Sequence, residues 1–214
     1  MRTYDLRGCS YNEFLDFVFD HPVEKQPWYF GSKVQVVFDA VHNTDLLTEL
    51  FSNARALLEK YSRDQLEHGF WALQSGRLID GLLPNLMFDQ SVPFEKRADC
   101  IRAMFFLYRD LFSVDDLHTS SNMWWDSISS SNQVGWRSPS TLEDNMKVQD
   151  VMFDTLTQIL YLESEECQGA ALHGLGHLRH PNTEKVIRDW IATQPDLPED
   201  DLEYAEACIP GEIM

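Results

Sequence analysis

The sequence predicts an all-α fold, with residues 1–214 forming a single domain. Three observations lead there. Apolar residues recur at i, i+3, i+4 and i+7 through most of the chain. Hydrophobic residues make up 43% and aromatics 12% of the 214 positions, enough for a packed core. Glycine (10) and proline (9) are too sparse for a collagen-like or low-complexity chain.

The elements follow in order. Residues 10–20 put Phe14, Leu15, Val18 and Phe19 on one side, with Ser10 as N-cap, and His21-Pro22 ends that helix. Val34, Val36, Val37 and Phe38 suit a short extended segment. From Thr44, taken as a cap, Leu47, Leu50, Phe51, Ala54, Leu57, Leu58 and Tyr61 form a helical stripe. Ser62 with Gln65 reads as a capping box, opening a helix striped by Leu66, Phe70 and Leu73. Gly76 marks a break, after which Leu78, Ile79, Leu82 and Leu83 form an apolar patch before Pro84.

Ser91 and Pro93 open the strongest helix, with Phe94, Ala98, Ile101, Phe105, Tyr108 and Phe112 along one stripe. Arg97, Cys100, Met104, Leu107 and Leu111 run beside it, so the apolar face is wide enough for a central helix. Residues 113–142 interrupt the rhythm as a long Ser/Asn-rich loop insertion carrying Trp124, Trp125 and Trp136. Helices are expected again over 143–162, 164–179 and 183–193. Residues 196–214 read as an acidic tail with no Lys or Arg.

One segment carries a family resemblance. Gly169, Ala170, Ala171, Gly174 and Gly176, interleaved with Leu172, Leu175 and Leu178, lead through His180-Pro181-Asn182 into the amphipathic stretch Thr183 to Thr193. Over 164–194 this resembles a HEAT-type helical repeat. The residues 99–108 resemble a degenerate copy without the glycines. The resemblance implies an irregular α-α superhelix of stacked antiparallel helical hairpins, HEAT/ARM-like, in which small side chains let paired helices approach, and a role in binding other macromolecules.

Charge narrows the function classes. Thirty-five acidic against 17 basic residues give a formal charge of -18. That disfavours nucleic acid and anionic lipid, whose phosphates require clustered cations, and favours a basic protein partner. The N-terminal residues lack the apolar run of a signal peptide and no stretch reaches membrane-span length, so a cytoplasmic location is expected. Cys9, Cys100, Cys167 and Cys208 form no CxxC pair and are expected as reduced thiols, Cys100 and Cys167 buried.

No GxSxG, HExxH, P-loop or GxGxxG is present, so the sequence offers no catalytic residue and no cofactor. The leading expectation is a non-catalytic protein-binding scaffold or adaptor, in its most specific form an immunity-type protein that neutralises a basic toxin. Three indoles in a polar loop are unusual. They either fold back to plug the stack or serve as protein-binding anchors at Trp124, Trp125 and Trp136. His173, His177 and His180 share one helical face with Glu166 on the same side. They are expected as packing or helix-terminal histidines, with a metal-dependent enzyme using Glu166, His173 and His177 as the alternative. A structural homodimer is the second alternative.

Overall fold

The computed structural model describes residues 2–30, 34–74, 82–129 and 143–213. They are mostly helical, as the periodicity requires. The exception is a two-stranded parallel pairing of β1 (Arg2–Asp5) with β2 (Val34–Val37), in register from Arg2 opposite Val34 to Asp5 opposite Val37. The extended character of 34–38 is legible in its β-branched residues; β1 is not, because its pairing partner lies some thirty residues away. The crossover between the strands is α1 (Tyr11–Phe19), where Ser10 and Glu13 close the capping box by reciprocal bonds.

The next helix, α2 (Ala40–Ser52), starts earlier than Thr44. Asp39 is its cap, accepting from the His42 amide at 2.8 Å, and Thr44 is a buried mid-helix residue whose hydroxyl donates to the Ala40 carbonyl. A 3-10 turn (Ala54–Ala56) and the short α3 (Leu57–Lys60) follow. The expected box at Ser62 and Gln65 opens α4 (Arg63–Gln74). Pro84 lies inside the first turn of α5 (Leu82–Phe88), where its missing N–H costs nothing.

At the centre lies α6 (Phe94–Leu107), extended by a wider turn over Tyr108–Phe112. It packs on α2 on one side and α8 (Glu143–Leu160) on another, so Ala98, Cys100, Ile101, Met104 and Leu107 are all buried. Buried Arg97 ties this layer together: it donates to the Val92 and Met87 carbonyls and ion-pairs with Asp144 at the start of α8. Next come α9 (Glu165–Leu178) and α10 (Thr183–Ala192). Within the acidic tail, residues 199–208 form α11 (Glu199–Cys208), packed on α9 with Ala205 and Cys208 buried.

Two glycines of α9 admit close neighbours from outside the α9–α10 pair. A Cβ on Gly174 would lie 2.7 Å from Leu156 Cδ2 of α8 and 2.9 Å from Trp125 Cβ. One on Gly176 would crowd Ile213 and the Cys208 carbonyl oxygen. Among the described residues no helix is long and apolar enough to cross a membrane. All four cysteines are free thiols, and Cys100, Cys167 and Cys208 are buried.

Candidate functional site

The site is assembled by a turn that the periodicity did not resolve. Glu67, buried on α4, accepts from the amides of His118, Thr119 and Ser120, the hydroxyls of Thr119 and Ser120, and the Trp71 indole. Burial on its own would raise the Glu67 pKa. The donors from Ser120, His118 and Thr119 outweigh it, so the carboxylate is held below its ordinary value and ionised. This anchor fixes the backbone that runs into Trp124 and Trp125.

Both indoles are fully buried. Trp124 meets Phe51, Phe70 and Phe112 edge-on and donates its N–H to Met104 Sδ at 3.4 Å. Trp125 stacks on Tyr108 and lies against Gly174. Each ring removes roughly 150–250 Å² from water, worth ~4–6 kcal/mol. Neither therefore offers an indole to a partner, which corrects the expectation of Trp124 and Trp125 as binding anchors. Trp136 lies outside the described residues.

The next residue is Asp126, at the start of α7 (Asp126–Ser129), and there the chain meets α9. His173 Nε2 lies 2.9 Å and His177 Nε2 3.7 Å from Asp126 Oδ1, and the two Nε2 atoms are 3.2 Å apart. The i, i+4 spacing puts both imidazoles on one helix face, with rings at 77°. On its far side His173 Nδ1 is 2.9 Å from the Tyr204 hydroxyl of α11. Burial is the main effect lowering the His177 pKa; Asp126 opposes it, while His173 and Arg179 add to it. Burial thus favours the neutral form of the His177 ring. Cys208, close to Tyr204, is no nucleophile: burial pushes its thiol up to about 12, with Tyr204 lowering it only in part.

Two other expected members are elsewhere. His180 stacks on Phe153, accepts from the Asn182 amide at Nδ1 and therefore presents Nε2–H to Asp150 at 3.0 Å; it is a packing histidine. Glu166 is exposed beside Ser164 and lines a different cleft, with Arg63, Asp115 and Asp116. The carboxylate that joins His173 and His177 is Asp126. Its sequence signal was faint: an acidic residue directly after two tryptophans.

Beside this cluster runs a groove of about 310 Å³ between α9, the end of α10 and α11. Leu172, Trp190 and Leu197 give it apolar walls, and Glu165, Asp196 and Asp201 place carboxylates along it. No Lys or Arg is among the described residues lining it. Gly169 and Tyr204 border both this groove and the smaller cleft that His173 lines with Asn122 and Met123. No family model, curated protein or solved structure matches the chain.

Proposed function

We propose that this chain is a helical, HEAT-like binding module whose acidic groove receives a basic segment of another protein. The observation that carries the reading is the groove itself: three exposed carboxylates, apolar walls and no lining cation. A Lys or Arg side chain suits such a place, because its aliphatic stem covers apolar surface while its charge meets the carboxylates. The net charge of -18 adds long-range attraction that raises the encounter rate. In its most specific form this is an immunity-type protein that occupies the cleft of a basic toxin. Free thiols at all four cysteines agree with a reducing, cytoplasmic home.

The test is a pull-down from the cells that make the protein, at low and high salt, with Glu165→Lys/Asp196→Lys/Asp201→Lys as control. The reading expects a basic partner held at low salt, released at high salt and lost by the triple variant. A partner retained equally by the variant, or none at low salt, rejects it.

A further inference from the structure

We infer that Asp126, His173 and His177 bind one divalent transition ion of the zinc class, through one carboxylate oxygen and two imidazole Nε2 atoms. This is independent of the groove reading. Geometry comes first. The edges of 2.9, 3.7 and 3.2 Å between the three donor atoms put them on a common circle of radius ~1.9 Å. A point ~0.7 Å off that plane is ~2.05 Å from each atom, the ordinary Zn–N and Zn–O distance. That offset is also the one a tetrahedral ion has from the plane of three of its ligands, so a fourth position stays open. His173 also lines a cleft of about 260 Å³.

Donor chemistry is second. Two imidazoles and one carboxylate suit zinc and its first-row neighbours and poorly suit calcium or magnesium, which take all-oxygen shells. The surroundings are third. In this arrangement His173 donates from Nδ1 to the Tyr204 oxygen, leaving its Nε2 lone pair for the ion, the usual outer partner of a ligating histidine. The frame is rigid: Trp125, adjacent to Asp126, rests on Gly174, adjacent to His173. Three other histidines are engaged differently: His21 and His42 each turn Nε2 to a backbone carbonyl, and His118 pairs with Asp64 at the surface.

The experiment uses the full chain stripped with a chelator. Calorimetric titration with Zn2+ should give one equivalent bound, and Co2+ should give the intense visible bands of a four-coordinate ion. Imidazole nitrogen NMR of the wild type should show His173 and His177 shifting on Zn2+ addition, with His21, His42 and His180 unmoved. Asp126→Asn and His177→Gln should weaken Zn2+ by at least ~100-fold, and Tyr204→Phe, a positioning change, by roughly 10-fold. His118→Gln should match the wild type. The proposal is overturned by absence of a Zn2+ equivalent, or by Zn2+ binding that leaves the His173 and His177 nitrogens unmoved. The wild-type spectra decide the matter even where a variant fails to fold.

Discussion

Glu67 and Asp126 lie on either side of the same turn, the first buried and the second half-buried, and they meet different groups there. Glu67 is surrounded by six N–H and O–H donors: the Trp71 indole of α4, three amides of 118–120 and the hydroxyls of Thr119 and Ser120. Asp126 faces two imidazole nitrogens, one of them on a ring whose neutral form burial favours. A carboxylate saturated with donors is a structural peg, because each donor already came out of water to meet it. A carboxylate facing basic nitrogens is held by whatever cation they share, a proton or a metal ion, and the occupant can be exchanged. The first arrangement builds the molecule and the second is available to a ligand.

The largest way to break this contrast is Glu67→Ala. It strands several buried donors at once and should cost ~3 kcal/mol or more in urea denaturation. A cost below ~1 kcal/mol would mean that the 118–120 turn holds without its peg.

A smaller effect is expected where the two regions join. Gly174→Ala would drive a methyl into Leu156 and Trp125, with Trp125 Cβ and Cγ both 2.9 Å away. A loss of ~1–2 kcal/mol should follow, together with a displaced Asp126 and weaker Zn2+ binding. Gly169 is the internal control on the same helix, since nothing lies within 4 Å of its added Cβ. Gly169→Ala should be neutral or stabilising by up to ~1 kcal/mol, because alanine is the better helix former. Equal Tm changes in the two variants would show that Trp125 does not depend on the space at Gly174.

Acid sharpens the comparison further. The Glu67 pKa in the folded state lies below its ordinary 4.5. Its contribution is therefore fully present above pH 4.5 and is lost as pH falls through the lower folded value. Stability should decline with acid in that window for the wild type and decline less for Glu67→Gln, as measured by urea midpoints between about pH 5 and 3. Parallel declines would remove Glu67 as the source.

The smallest expected effect belongs to Asp126→Asn in the chelator-stripped protein. It should change stability by no more than ~1 kcal/mol, because the residue is partly solvated and an amide keeps the size of the carboxyl group. The same substitution should abolish the rise in Tm that Zn2+ gives the wild type. A large loss without any ion would make Asp126 a second peg.

Much of the helical framework was legible. Ser10 with Glu13 and Ser62 with Gln65 cap helices through bonds confined to four residues. The stripes of α6, α8 and α10 announce their buried faces by spacing alone. Local signals mislead at the start of α2, where Thr44 has the chemistry of a cap but Asp39 is the cap, and the buried position of Thr44 is set by neighbours distant in sequence. The histidine pair was visible as an i, i+4 face, but the carboxylate joined to it was not. Glu166 shares that helix and Asp126 does not, and a helical projection cannot show what another segment brings.

The chain by itself determined that it is helical, acidic and built around a wide-faced central helix, because periodicity, capping chemistry and charge are properties of nearby residues. Only the tertiary structure decided that β1 pairs with β2, that Trp124 and Trp125 enter the core, and that Asp126 meets His173 and His177. Those outcomes depend on packing between segments far apart in sequence, where apolar burial and a single peg at Glu67 select one arrangement among many that local preferences allow.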